Sequence, residues 1–130
     1  QALKNGVITV FGGKQARPNI HIDDITDLYV EILQEPTRFE GVYNAGFENL
    51  TILEIAEMIG RKINADIKVT ESNDPRSYRI NSDRLLATGF KPKKKVEDAI
   101  DEIVSAWNEN LLQDTPKNYN LKWMQEQIIK

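Results

Sequence analysis

Apolar residues recur along this chain in two rhythms, and each rhythm predicts an element. Val7-Ile8-Thr9-Val10-Phe11 is a β-branched and aromatic run closed by Gly12-Gly13, which predicts a strand ending in a turn. A helix follows with Asp23 or Asp24 as its cap. Its apolar positions Ile25, Leu28, Tyr29, Ile32 and Leu33 share one face at the helical period, and Pro36 stops it. Val42-Tyr43-Asn44 predicts a second short strand ahead of Ala45-Gly46. Thr51 and Glu54 form a Thr-x-x-Glu capping box for a helix that buries Ile52, Ile55, Ala56, Ile59 and Ile63. Ile67 to Thr70 alternates and predicts a third strand, and the polar residues 71–79 predict a loop. Ser82 is placed to cap a short helix through Leu86, ended by Gly89, and Pro92 falls in a loop. The longest helix spans 96–112, with Val96, Ile100, Ile103, Val104, Trp107 and Leu111 on one stripe. Pro116 breaks the chain, and a last amphipathic stretch carries Leu121, Met124 and Ile128. Three or four short strands and four or five helices in mixed order predict an α/β (mixed α+β) fold without repeats.

Composition narrows the function classes. The 130 residues, at 14.9 kDa, make one domain able to carry its own core. Lys plus Arg is 17 and Asp plus Glu is 20, a net charge of −3, which argues against a dedicated nucleic-acid binder. With no cysteine, a disulfide scaffold, a zinc ribbon and a thiol nucleophile are excluded. No apolar run approaches the ~20 residues of a membrane span, and no signal peptide is visible, so a cytoplasmic location without membrane contact is expected. The chain begins Gln1-Ala2, without an initiator Met, and is expected to be a piece of something longer.

The chemistry-bearing residues are few. His21 is the one histidine, and Asp23 and Asp24 beside it offer no recognisable metal-ligand spacing. It reads either as a structural group hydrogen-bonded to backbone near the helix cap or as an acid or base. One histidine and no Gly-x-Ser-x-Gly elbow give a nucleophilic triad no support. The pairs Asp23/Asp24 and Glu97/Asp98 lie at helix starts, where negative charge suits the dipole. Lys91 and the run Lys93-Lys94-Lys95 read as a solvated loop, with phosphate binding as the alternative. Neither a Walker A motif nor Gly-x-Gly-x-x-Gly occurs. Two polar segments, 13–24 and 73–79, each place an arginine, Arg17 and Arg76, on an irregular stretch. Either the two converge on an anion, which the guanidinium fork suits, or they are solvent-exposed with local salt bridges.

These segments also carry a resemblance. Val10-Phe11-Gly12-Gly13-Lys14-Gln15-Ala16-Arg17-Pro18-Asn19-Ile20-His21-Ile22-Asp23-Asp24 resembles the C-terminal half of extended short-chain dehydrogenase/reductase enzymes. More narrowly, it resembles the NAD-dependent nucleotide-sugar epimerase/dehydratase family. Val42-Tyr43-Asn44-Ala45-Gly46 looks like that family's Tyr-Asn-x-Gly strand end, and Thr51-Ile52-Leu53-Glu54-Ile55-Ala56 like the helix after it. Asp74-Pro75-Arg76-Ser77-Tyr78-Arg79 through Gly89-Phe90-Lys91-Pro92 resembles its Asp-x-Arg-x-Tyr … Leu-Gly-aromatic-x-Pro segment. Each motif is weak alone; four in the family's order, over roughly residues 6–112, are fairly specific.

The resemblance implies a nucleotide-sugar substrate lobe over residues 1–113, with 114–130 as a C-terminal tail. Arg17 and Arg76 would contact the diphosphate, with Asn19 beside the nucleotide and Tyr78 close by. His21 and Asp24 would be the structural pair that fixes the helix start. Pro18, Asn19, Asn81 and Arg84 depart from the family's usual Asp, aromatic, Asp and Lys. The family's Rossmann half carries the Gly-rich turn for NAD or NADP and a catalytic Tyr with Lys four residues on. Here Tyr29, Tyr43, Tyr78 and Tyr119 are followed at that spacing by Leu33, Phe47, Ser82 and Trp123. No catalytic, cofactor or metal residue is therefore expected in this chain. The chain would be the nucleotide-sugar-binding part of an NAD-dependent epimerase or dehydratase, inactive alone. Apolar surface bared where the Rossmann half packs would drive self-association. The alternative is a stand-alone, non-catalytic α/β ligand-binding or interaction module.

Overall fold

The computed structural model describes residues 2–115 and 118–128, without the side chains of Lys122 and Ile128. The chain break expected at Pro116 and the place of Ile128 on its stripe lie outside these described residues. A short helix α1 (Ala2–Asn5) leads into strand β1 (Val7–Phe11). Strand β4 (Asp66–Thr70) lies parallel to β1, in a register from Val7↔Asp66 to Phe11↔Thr70. A parallel pair needs a long crossover, and the 54 residues between the two strands supply it. Within that crossover come β2 (Ala16–Asn19), α2 (Ile22–Gln34), a 3-10 turn (Pro36–Phe39), β3 (Glu48–Thr51) and α3 (Ile52–Ile63). Beyond β4 an extended segment leads to α4 (Asp83–Leu86), then α5 (Val96–Asn108) and α6 (Asn120–Ile128). The architecture is the expected mixed α/β one.

The capping box forms as its spacing requires. Thr51 Oγ1 accepts from Glu54 N at 3.1 Å, and the Glu54 carboxylate accepts from Thr51 N at 2.7 Å. Behind it α3 packs on β1, where Val10, Ala56 and Ile100 are buried. Gly60 allows close approach: a Cβ there would lie 3.1 Å from the carbonyl oxygen of Ala65 and 3.3 Å from Ile67. A second cluster unites Leu28 of α2 with Phe39, Leu85 and Phe90, flanked by Ile25, Ile32, Tyr43 and Phe47. Burial of such side chains contributes roughly 1.5–3 kcal/mol each.

Several expectations need correction. Val42-Tyr43-Asn44 is not a strand: it has no ladder partner, and Val42 is exposed while Tyr43 packs into the aromatic cluster. The antiparallel strands are instead β2 and β3, which read as polar loop and helix cap. On α2, Tyr29 and Leu33 turn to solvent, and the buried line runs through Asp24 and Leu28. The cap of α2 is His21, not Asp23 or Asp24: its Nδ1 accepts from Asp23 N at 3.1 Å. Ser82 stands before α4, but its hydroxyl joins Gly46, accepting from N at 3.1 Å and donating to O at 2.9 Å. Helix α5 stops at Asn108, because Asn110 turns left-handed (φ 59°), so Leu111 leaves the stripe. The lysine run is tied down rather than freely solvated. Asp24 is buried and accepts from the backbone N–H of Lys93 (2.9 Å) and Lys94 (3.1 Å), while Lys93 Nζ reaches Asp27.

Candidate functional site

Strands β2 and β3 make a two-stranded ribbon in which Arg17 faces Leu50 and Asn19 faces Glu48. Pro18 is tolerated because such a ribbon is all edge. The extended segment after β4 lies along β2. Ala16 N donates to Ser77 Oγ (3.0 Å), and Tyr78 N donates to Ala16 O (3.2 Å). Asn49 on β3 exchanges two bonds with the Ile80 backbone, at 3.0 and 2.9 Å. The Ser77 hydroxyl and the Asn49 amide thus do much of the work of a third strand, and with the Tyr78 backbone they bring residues 74–78 against Arg17.

Arg17 is therefore on a strand, not on the irregular stretch expected. Its Nη1 donates to the carbonyls of Ala16 (2.9 Å) and Arg76 (2.6 Å), and its Nη2 lies 3.5 Å from the Asp74 carboxylate. The Tyr78 ring backs the guanidinium, with 4.8 Å from Cζ to the ring centroid. A cation over an aromatic face is stabilised electrostatically. Arg76 takes the same carboxylate bidentately, with Nε–Oδ1 at 2.7 Å and Nη2–Oδ2 at 2.9 Å, and its own backbone N–H adds a 3.0 Å bond. The Arg76 bonds, with a smaller contribution from Arg17, hold the Asp74 carboxyl at about 2, below its ordinary 3.8. The Arg76 side chain is largely exposed and that of Arg17 three-quarters covered. Of the four residues singled out, the structure gathers Arg17, Arg76 and Tyr78. Asn19 lies on the same ribbon, but its amide is turned to the carbonyls of Arg17 (2.8 Å) and Glu48 (3.1 Å). Asp74 was not anticipated as a site residue. Its signal was the Asp-x-Arg spacing, which permits a carboxylate to fold back onto the arginine two positions on.

A second polar cluster surrounds His21. One ligand atom each from His21, Asp23 and Glu102 falls within 4.8 Å of the others. His21 Nδ1 is committed to the helix cap, so Nε2 carries the proton toward Glu102 at 3.2 Å. The Lys94 ammonium bonds Glu102 and stands 2.9 Å from Asp23, and these two contacts raise its pKa. An ammonium already fills the place a cation would take, so the cluster fastens α2 to α5. The Gly12-Gly13 turn packs closely on its neighbours: a Cβ on Gly12 would meet Gln15 at 2.6 Å, and one on Gly13 would meet Leu53 and Val10 at 3.2 Å. A groove of about 810 Å³ is lined by Ile8, Ile59, Ile100, Val104 and Trp107 and includes none of the ribbon residues.

The fold and its ribbon thus define a small α/β lobe with two arginines backed by a tyrosine on one face. That lobe has a solved counterpart in RMD from Pseudomonas aeruginosa, a structure complexed with NADPH. The TM-score is 0.64 at 20% identity, covering 82% of this chain and 37% of that one, a likeness of fold. In sequence the chain is 25% identical over 111 residues to the putative GDP-L-fucose synthase 2 of Arabidopsis thaliana, covering 82% of this chain and 34% of that protein. It is 25% identical over 118 residues to GDP-L-fucose synthase 1 of the same plant, covering 85% and 36%. No family model matches the chain. The chain spans about a third of the length of these relatives. The four ordered motifs agree with these likenesses, which are of sequence to GDP-L-fucose synthases and of fold to RMD. Among the described residues no helix is long and apolar enough to cross a membrane.

Proposed function

We propose that this chain is the nucleotide-sugar-binding part of an NAD(P)-dependent sugar-nucleotide epimerase/reductase. The nicotinamide cofactor and the catalytic Tyr and Lys would lie on polypeptide outside these residues. Residues 1–113 form the binding lobe and 114–130 a tail. The observation that carries the reading is the pairing of Arg17 and Arg76 on one carboxylate, with Tyr78 behind Arg17. Two guanidinia already held to a planar anion are preorganised for the oxygens of a diphosphate. Asn19 fixes the ribbon and so the direction of Arg17. Binding energy from the diphosphate, remote from the reacting sugar, would orient that sugar toward the cofactor. The names of the relatives favour a GDP-linked sugar, and the isolated chain would have no turnover. The face that meets the cofactor half would leave apolar side chains such as Phe11 and Val69 bare, favouring self-association.

The test is calorimetric titration of the chain with GDP. Arg17→Ala should weaken binding by about 2 kcal/mol, roughly thirtyfold, if a charge-assisted bond is lost. Arg76→Gln should also weaken it, with only a small fall in the thermal midpoint, because that side chain is exposed and its ion pair is screened. Unchanged affinity in both variants would remove the arginines from the site.

A further inference from the structure

The reading above leaves Asp74 unexplained. A carboxylate at the centre of a site built for a diphosphate should repel that ligand, yet Asp74 stands there. It lies between both guanidinia, and the bonds to Arg76 are the shorter. We propose that Asp74 is a built-in competitor for the diphosphate: it holds Arg76 when the site is empty and yields that guanidinium to the ligand on binding. The inference rests on the proposed function and deepens it.

The two arginines stand differently toward the carboxylate. Arg17 is spent mainly on carbonyls of Ala16 and Arg76, with its Asp74 contact at 3.5 Å, and Tyr78 backs it. Its bonds anchor the segment, so it stays in place. Arg76 has no described side-chain bond other than to Asp74, and it is largely exposed. It is free to swing to a second anion when one offers a better fork. Asp74 cannot clear the way by taking up a proton near neutral pH, since the two arginines keep it ionised. Exchange of one anion for another on Arg76 is the route left. The arrangement has two consequences. The empty site is neutralised in part, so stray monoanions gain little there. A diphosphate, carrying more charge and more oxygens, outcompetes a single carboxylate.

The experiment titrates GDP into the chain and its Asp74→Asn, Asp74→Glu, Arg76→Gln and Asp74→Asn/Arg76→Gln variants. Removing the competing negative charge should tighten GDP binding about tenfold in Asp74→Asn. Asp74→Glu keeps the charge and should stay near the parent affinity. The gain should vanish in the Arg76→Gln background, because the competition acts through that side chain. Weaker or unchanged GDP binding in Asp74→Asn, with Arg76→Gln still weakening it, would overturn the competitor role and leave the site standing. Unchanged GDP binding in both Arg17→Ala and Arg76→Gln would instead overturn the site. A readout on the unsubstituted chain needs no variant to fold: the Arg76 Nε–H resonance should move on saturation with GDP. A fixed resonance would refute the exchange.

Discussion

Asp24 is the residue whose replacement should cost this fold most for the fewest atoms. It is 1% exposed on the first turn of α2, and its two oxygens accept from the Lys93 and Lys94 backbone N–H groups at 2.9 and 3.1 Å. One carboxylate thereby binds α2 to the approach of α5 across 69 residues. Asp24→Asn keeps the size, but only one acceptor oxygen survives, and its new NH2 faces a buried N–H. Hydrogen bonds to a charged group contribute about 1.5 kcal/mol or more each, so losing one and orphaning a donor should cost about 3 kcal/mol. That is a large share of the ~5–15 kcal/mol available to a domain. At about 3 °C per kcal/mol for a chain of this length, the midpoint should fall by about 10 °C. The assay is thermal unfolding followed by circular dichroism, with Asp27→Asn as control. Asp27 pairs with the exposed Lys93 ammonium. Such a surface pair contributes little, so the control midpoint should hardly move. Equal midpoints for the two variants would refute the buried-carboxylate argument.

Two further outcomes are expected. Thr51→Ala removes the hydroxyl that accepts from Glu54 N, and should lower stability by about 1 kcal/mol, with Thr51→Ser restoring it; denaturant titration measures this. The Asp74 carboxyl is lowered in the fold from 3.8 to about 2. Its stabilisation is therefore present above about 4 and lost as the pH falls through about 2. Melting curves across that window should fall less steeply for Asp74→Asn than for the parent, and parallel curves would contradict the assignment.

The amphipathic faces of α3 and α5, the capping box and the strands β1 and β4 were legible in the chain because each signal is local. Apolar spacing sets which face is buried, and a Thr-x-x-Glu pair satisfies its own orphan N–H groups. Arg17 and Arg76 could be named from their residue type and setting. Their meeting could not, since it depends on Asn49 and Ser77 acting as partners for backbone far along the chain. Strands of composition Ala-Arg-Pro-Asn and Glu-Asn-Leu-Thr have no alternation to announce them, and they exist because each supplies the other's ladder. The same reason hid the fate of the lysine run: Lys93 and Lys94 look solvated until the fold sets a buried carboxylate opposite their backbone. Periodicity and capping are properties of neighbours in sequence. Hydrogen bonds between residues 59 or 69 apart become favourable only after packing has brought their elements together.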